Sequence, residues 1–242
     1  MENVSEIPAR IVHIPLLGSD VALNTGTLLS TWVIISLMLV FALLIRPRVK
    51  RIPGRPAVFF EIIYGSFLDM AKEALGEDGK RFTPLIFTLF SFVLLCNWAG
   101  VIPGVKSPTW DLNTCLGLGL MVFVISHAAA VSHKGLKKYL LDYTKPFFLF
   151  LPLNIVGELG KVISHSFRLF GNIYAGAVIL ALAGPVTIKV FNSLGLPSFS
   201  ASPVLVCGYM ILQGFFGLFI GTVQALVFAL LALTYIAVLR EA

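Results

Sequence analysis

Charged residues are scarce in this sequence. Only 12% of its 242 residues are charged, whereas 57% are hydrophobic, and the mean hydropathy is +0.92. Soluble domains carry about twice that charged fraction, so the composition argues against a soluble protein and makes lipid the expected solvent. The net charge of +6 comes from basic clusters beside apolar runs. That pattern is typical of membrane orientation signals, and it gives no reason to expect nucleic acid as a partner.

Cysteine is also rare. Cys96, Cys115 and Cys207 lie far apart in apolar runs, so the sequence predicts neither a metal site nor a disulfide framework, and we expect no cofactor. We interpret the three as small apolar residues of membrane helices. We also expect no cleavable signal within residues 1–26, because they mix acidic and basic side chains and have no basic start followed by an apolar core.

Three uncharged runs in the first half, 27–45, 83–105 and 112–132, are long enough to span a membrane as helices. Basic clusters follow the first and the third run, namely Arg46 to Arg51 with Arg55, and His133 to Lys138 with Lys145. Loops rich in Lys and Arg stay in the cytoplasm. We therefore predict that both clusters lie inside and the N-terminus outside.

Residues 56–78 differ from these runs, because apolar side chains recur there at helical spacing and charged ones take the other side. The apolar set includes Val58, Ile62, Phe67 and Met70, and the charged set Glu61, Asp69, Lys72, Glu73 and Glu77. This pattern predicts an amphipathic helix on the inner membrane surface.

Two very long apolar stretches, 147–188 and 203–239, fill the second half. The second would be roughly 50 Å long as a helix, whereas a bilayer core is about 30 Å thick. Both are therefore predicted to be long, strongly tilted helices that follow a partner's surface. The sequence as a whole predicts one all-α membrane domain over 1–242, with about five transmembrane helices and one amphipathic surface helix.

Polar residues line one face of the first long helix. They are three or four positions apart, which places them on one side of a helix. We call them the α6 stripe, after the helix α6 (Leu151–Ser193) that carries them: Glu158, Lys161, His165, Arg168 and Asn172. Such residues cost several kcal/mol each in lipid, so the stripe should face water or protein. His165 alone is also compatible with a packing hydrogen bond, and Glu158 with Lys161 is compatible with an interfacial ion pair.

Arg168 is the most informative residue of the stripe. An arginine keeps its proton even in a low dielectric, so it attracts a carboxylate and repels mobile cations. No Asp or Glu follows it before Glu241, and Glu158 lies about 15 Å away along the helix, so its counter-charge is expected in another subunit. The alternative is an arginine that snorkels or braces a helix contact.

The last helix has a matching polar face made of Gln213, Gly217, Gly221 and Gln224. Its glycines permit close approach of another helix, and its glutamines can hydrogen-bond to the α6 stripe or to water. Packing without any role in transport explains the glycines equally well.

Several segments of this sequence resemble subunit a of F-type ATP synthases, in the right order and over nearly the whole chain. The most specific is Arg-Leu-Phe-Gly-Asn-Ile-Tyr-Ala-Gly at 168–176, and two others are Asn97-Trp-Ala-Gly-Val-Ile-Pro103 and Thr222-Val-Gln-Ala-Leu-Val-Phe228, with Tyr235 downstream. The resemblance implies an ion-conducting stator subunit that is not itself an enzyme. Its partners would be the c-ring, the peripheral-stalk b subunits and the lipid bilayer.

The resemblance also implies residue roles. Arg168 would face the c-ring carboxylates and separate two offset half-channels, and Asn172 and Gln224 would line that interface. Glu158, Lys161 and His165 would border the inner exit. The implied location is a bacterial inner membrane, rather than an organellar one, with the C-terminus cytoplasmic. H⁺ and Na⁺ both stay open as coupling ion, because the ion-binding site would lie on the c subunit.

Two positions depart from the family pattern. An acidic residue often follows the Ala-Gly of the first motif, and here Ala177 stands there; a polar position of the last helix is Gly217. We therefore expect the outer half-channel to be lined differently, with Gln213 and Tyr174 as candidates. A secondary transporter would call for repeats and broken helices that this sequence lacks, and a structural scaffold would not need the α6 stripe.

Overall fold

The computed structural model describes residues 11–16, 19–49, 55–102, 105, 107–143, 148–195 and 202–241. A β-hairpin comes first, with β1 (Ile11–Leu16) and β2 (Ser19–Asn24) paired antiparallel. This hairpin was not predicted, although the β-branched residues Ile11, Val12, Ile14 and Val21 suit a strand. All other elements are helical, and five of the described segments are long and apolar enough to cross a membrane. The predicted all-α membrane fold is thus confirmed, with the hairpin as an addition.

The first three helices begin and end a few residues away from the predicted bounds. Helix α1 covers Thr25–Val49, α2 covers Arg55–Leu75, and α3 covers Gly79–Ala99 after one 3₁₀ turn. Helix α3 begins early because Gly79 crosses α2 closely: a Cβ there would lie 2.3 Å from the Ala71 carbonyl oxygen. The side chains of the basic cluster 46–51 lie outside the described residues.

A short 3₁₀ turn, Pro108–Trp110, leads into helix α4, which covers Leu112–Lys134. Asp111 caps α4, since its side chain accepts a hydrogen bond from the Asn113 backbone at 3.0 Å. Helix α5 (Leu136–Asp142) then occupies part of what was predicted as a basic loop. Its position is fixed by an ion pair between Lys134 and Asp142 at 3.0 Å.

The two long helices of the second half are the longest elements. Helix α6 covers Leu151–Ser193, or 43 residues and about 65 Å. The last helix starts as α7 (Ser202–Gln213), passes through a π-helical segment (Gly214–Ile220), and continues as α8 (Gly221–Glu241). Each exceeds the roughly 30 Å of a bilayer core. The predicted ranges 147–188 and 203–239 lie within a few residues of these helices.

Helix α8 lies at the centre of the bundle. Its buried face includes Ala225, Phe228, Ala229, Ala232, Leu233 and Ile236. Helices α3 and α4 pack on it through Ile86, Val93 and Val122, and α6 packs on it through Leu169. The alanines bring the helix backbones close together, which is how helices associate where lipid removes the hydrophobic driving force.

Contacts at the two ends of the bundle fix its up-and-down order. At one end, Arg240 of α8 forms an ion pair with Asp78 in the turn before α3, and its guanidinium lies 5.5 Å from the centre of the Phe82 ring. At the other end, Thr27 at the start of α1 lies 3.4 Å from Asp111 at the start of α4. The ends of α4 and α8 therefore share a side, and the starts of α1 and α4 share the opposite side.

Candidate functional site

The α6 stripe lies on the boundary between the buried and the exposed face of its helix. Positions three apart are offset by about 60° around a helix, so the stripe spreads over more than one environment. His165 is 2% exposed, Asn172 is half-buried and Arg168 is exposed. The sequence placed these residues on one face, and the structure divides that face between the bundle interior and its surface.

Glu158 and Lys161 form an ion pair of 2.5 Å, as one of the two sequence interpretations predicted. The Glu158 side chain is 16% exposed and that of Lys161 is 41% exposed. The carboxylate therefore points into the bundle, while the ammonium reaches its rim.

Arg168 extends from the exposed face of α6, seven residues beyond Lys161 along the helix. Among the described residues, no carboxylate lies within ion-pair distance of its guanidinium. An unpaired fixed cation at membrane depth is costly. The exposed face of α6 at this level is therefore a surface that needs a counter-charge.

His165 lies inside the bundle between two rings of α8. Its ring centre is 3.9 Å from that of Phe228 and 5.6 Å from that of Tyr235. Neither ring nitrogen has a hydrogen-bond partner within the described part of the chain. Buried polar groups are nearly always hydrogen-bonded, so this imidazole has unused bonding capacity one turn before Arg168.

The register between α6 and the last helix places Arg168 and Gln224 at about the same height along the bundle. His165 contacts Phe228, while a Cβ on Gly176 would lie 3.2 Å from Cβ of Phe216, so the two helices are antiparallel. Arg168 is then roughly level with residues 224–225. The Nε2 atom of Gln224 is buried and has no hydrogen-bond partner among the described residues.

The remaining members of the predicted polar face turn to the end of α3. Gln213 donates a hydrogen bond to the Gly100 carbonyl at 2.9 Å, and Gly221 accepts one from the Asn97 amide at 2.9 Å. A Cβ on Gly217 would lie 2.3 Å from Cγ2 of Val101. The two glycines thus admit the close approach of another helix, α3, whereas Gln213, expected to hydrogen-bond to the α6 stripe or to water, bonds to the end of α3 instead.

A buried polar network surrounds this contact and was missed by the sequence analysis. The Asn97 side chain also accepts a hydrogen bond from the Thr109 hydroxyl at 3.1 Å, and the Thr109 and Ser107 hydroxyls lie 2.6 Å apart. Ser107 in turn donates to the Cys96 carbonyl at 2.6 Å. The only sequence signal was Asn97 within its motif. The network joins α3, the turn before α4 and α8 into one rigid end of the bundle.

Tyr174, a candidate for the outer half-channel, lies on the exposed side of α6. Its ring stacks on Phe170 at 5.7 Å and lies 6.3 Å from the Trp110 ring. It is 53% exposed, so its hydroxyl is open to the surroundings. Ala177, three residues on, is half-buried and brings no polar group to this region.

Two adjoining cavities lie at the end of the bundle where α6 begins. The larger, about 540 Å³, is walled by leucine, isoleucine and phenylalanine side chains, with four polar side chains: His127, Tyr139, Tyr143 and Glu158. The smaller, about 10 Å³, has room for roughly one water molecule and reaches His165 and Tyr235. Phe123, His127 and Glu158 line both. The cavities thus connect Glu158 to His165 along the inside of α6.

Three of the four polar side chains of the larger cavity, those of His127, Tyr139 and Tyr143, are hydrogen-bonded to one another. Tyr143 lies 3.0 Å from Nε2 of His127 and 2.9 Å from the Tyr139 hydroxyl. Burial and the hydrogen bond with Tyr139 raise the pKa of Tyr143 above its ordinary value, so it stays a neutral hydroxyl. The sequence analysis missed His127 and Tyr143 because they lie on different elements. Within the described residues, there is no group of three or more His, Cys, Asp or Glu side chains that could hold a metal ion.

Comparison with known proteins gives a consistent result. The family model described as ATP synthase A chain matches residues 28–237. The chain is 34% identical over 210 residues to "ATP synthase subunit a" of Geotalea daltonii, covering 85% of this chain and 83% of that protein. It is 32% identical to the protein of the same name in Moorella thermoacetica, covering 88% and 89%. Identity to "ATP synthase subunit a 1" of Syntrophotalea carbinolica is 36%, covering 85% and 82%.

Proposed function

This chain belongs to the ATP synthase A chain family, and we propose from that premise that Arg168 in the α6 stripe separates two offset proton half-channels against a rotating c-ring. The chain is the membrane-embedded proton-channel subunit of an ATP synthase and not a catalytic one. In the mechanism we propose, a proton enters from outside, neutralises a c-ring carboxylate, travels with the ring and leaves on the inner side.

Arg168 acts as the electrostatic barrier between the half-channels. The observation that carries this role is a permanent cation on the exposed face of a membrane-spanning helix, with no carboxylate partner among the described residues. A deprotonated c-ring carboxylate would be attracted to it, while a protonated site would not. A ring site can therefore pass Arg168 only after its proton has left.

The c-ring supplies the missing counter-charge in this proposal. The exposed side of α6 is about 65 Å long, which suits a helix that follows the curved outside of a ring. Gln224 lies at about the same height along the bundle as Arg168, and its amide nitrogen has no hydrogen-bond partner among the described residues; Asn172 follows Arg168 one turn further along α6. Both can hydrogen-bond a carboxylate or water at this interface. Peripheral-stalk b subunits are expected as further partners.

The inner exit borders Glu158, Lys161 and His165, with Glu158 as the titrating member. The adjoining cavities, which line up Glu158 with His165 below Arg168, support this assignment. Asn172 lies on the opposite, outer side of Arg168, where Tyr174 and the α3 end border the entry. Transfer of one proton is driven by about 2.3 kcal/mol per 100 mV of membrane potential.

We propose a bacterial plasma-membrane location with the N-terminus outside and the C-terminus cytoplasmic. The relatives are bacterial, and the two basic clusters call for this orientation by the positive-inside rule. The ion pair of Arg240 with Asp78 supports it, because it joins the C-terminal end of α8 to the turn that precedes α3.

The test is ATP-driven proton pumping by the complex in inside-out membrane vesicles. Arg168→Ala should abolish pumping, and Arg81→Ala, an exposed arginine outside the α6 stripe, should pump like the parent. Glu158→Gln should slow pumping less severely than Arg168→Ala, because the neighbouring Lys161 and His165 remain. Full pumping by Arg168→Ala, at parental levels of assembled complex, would overturn the proposal.

A further inference from the structure

A second polar group lies at the inner end of the bundle, outside the α6 stripe. It consists of His127 on α4, Tyr139 on α5 and Tyr143 directly after α5. The hydroxyls of Tyr139 and Tyr143 are 2.9 Å apart, and Tyr143 is 3.0 Å from Nε2 of His127. Asn154 of α6 donates a hydrogen bond to the Tyr143 carbonyl at 2.9 Å. These contacts hold the group where α4, α5 and α6 meet.

The direction of these hydrogen bonds follows from one contact. Nδ1 of His127 lies 2.9 Å from the Phe123 carbonyl oxygen, which can only accept, so Nδ1 carries the proton. In the neutral imidazole Nε2 is then an acceptor, and the Tyr143 hydroxyl donates to it. Tyr143 in turn accepts from Tyr139. The three side chains form an oriented chain of donors that ends on a basic nitrogen.

The position of this chain links it to the α6 stripe. All three side chains line the 540 Å³ cavity together with Glu158, and His127 and Glu158 also line the narrow cavity that reaches His165. The rest of the cavity lining is apolar. His127, Tyr139 and Tyr143 are therefore the lining side chains that can take up a proton leaving Glu158 on this side.

We propose that His127, Tyr143 and Tyr139 form a proton relay that carries protons between Glu158 and the inner solvent, an inference that rests on the proposed function. Tyr143 accepts the proton of the Glu158 carboxyl on its free lone pair and passes its own hydroxyl proton to Nε2 of His127. The O–H bond of Glu158 breaks and the Nε2–H bond of His127 forms, leaving a carboxylate and an imidazolium.

The relay then resets by reversing its hydrogen bonds. The imidazolium donates from Nε2 to Tyr143, Tyr143 donates to Tyr139, and Tyr139 releases its hydroxyl proton to water. One proton has entered from Glu158, one has left to the solvent, and His127 is neutral again. The short helix α5, which the Lys134–Asp142 ion pair anchors, brings Tyr139 to the cytoplasmic side of the bundle.

The experiment compares proton pumping in inside-out vesicles that contain the whole complex. Initial rates of pumping are measured as the build-up of membrane potential. This readout is chosen because the rescue compound imidazole is a weak base, and a weak base dissipates a pH gradient but not a membrane potential. His127→Ala should slow pumping roughly a hundredfold or more, the low end of what a positioned proton-transfer group contributes. Tyr143→Phe should slow it similarly, whereas Tyr64→Phe on α2, which lines neither cavity, should not.

Small-molecule rescue separates a relay from a structural role. Imidazole fits the cavity that His127→Ala enlarges, and it should restore pumping in that variant, while leaving the parent unchanged. Pyrazole has the same size and also hydrogen-bonds, but it is a far weaker base and should not restore pumping. Equal rescue by the two compounds, or parental pumping by His127→Ala, overturns the relay.

Two further measurements keep the outcomes distinct. If His127→Ala does not assemble, His127→Gln takes its place, because glutamine keeps a hydrogen-bonding side chain but cannot take up a proton. This variant should assemble and pump slowly. Parental pumping by His127→Gln refutes the relay. Arg168→Ala is measured in parallel. Loss of pumping there with a normal His127→Gln refutes the relay alone, whereas normal pumping by Arg168→Ala refutes the proposed function itself.

Discussion

Gly217 offers a sharp test of how the last helix packs. A Cβ at this position would lie 2.3 Å from Cγ2 of Val101, far inside normal contact distance. Val101 cannot easily turn away, because a β-branched side chain has few χ1 rotamers. Gly217→Ala therefore forces overpacking, which costs about 1–3 kcal/mol. At about 2–4 °C per kcal/mol for a chain of this length, the melting temperature should fall by about 2–12 °C.

The same substitution also strains the neighbouring hydrogen bonds. Moving the π-helical segment away from α3 stretches the bond from Gln213 to Gly100 and that from Asn97 to Gly221, both 2.9 Å long. Proton pumping should therefore decrease along with stability. The assay is thermal dissociation of the purified complex, followed by the loss of this subunit, with pumping measured on the same preparations.

The valine supplies the decisive comparison. Val101→Ala removes Cγ2 and leaves the nearest side-chain atom 3.5 Å from the added Cβ, an ordinary contact. Gly217→Ala with Val101→Ala should thus recover stability relative to Gly217→Ala, with a coupling of at least about 1 kcal/mol. Gly65→Ala on α2, where an added Cβ meets nothing within 4 Å, is the control. Parental stability of Gly217→Ala, or no recovery in the double variant, would refute the reasoning.

Other contacts give predictions of the same kind. Asn97→Ala leaves the two hydrogen-bond partners of a buried amide unbonded and should lower stability by about 1–3 kcal/mol, measured by thermal dissociation of the complex. Substitution of the exposed Asn113 by Ala should leave stability unchanged. Equal effects of the two substitutions would contradict the network's role. Asp78→Asn removes the partner of Arg240, whose side chain is 9% exposed, and should lower the dissociation temperature. Adding Arg240→Met should restore part of the loss, because a buried cation without a partner destabilises the protein more than an apolar side chain at the same position does. A further decrease in the dissociation temperature would contradict this account.

Much of the fold followed from periodicity and length. Uncharged runs bounded by charged residues predict membrane helices, because lipid offers no hydrogen bonds to the backbone and a helix satisfies its backbone groups internally. The exact ends were less predictable. Helix α3 starts at Gly79 because that glycine fits directly against α2, and such a fit depends on a partner that is distant in space. The order of packing, with α8 in the centre, has no signature in the sequence of α8 alone.

The candidate site was partly predictable for a similar reason. Spacing of three and four residues predicted the α6 stripe and the pair of Glu158 with Lys161, because both depend only on helix geometry. Spacing could not show that His165 turns inward onto Phe228 while Arg168 stays exposed. That division depends on where α8 lies. The partners of Gln213 and Asn97 likewise come from segments more than a hundred positions away.

The π-helical segment Gly214–Ile220 matters for how the chain tolerates length changes. A π turn holds one residue more than an α turn does, so the segment is an insertion that the helix has absorbed. Deleting one residue there would restore a regular α-helix and rotate α8 by about 100° relative to α7. The faces carrying Gln224 and Phe228 would then leave α6. An ungapped alignment across this segment therefore compares residues on different sides of the helix whenever a related chain lacks the extra residue.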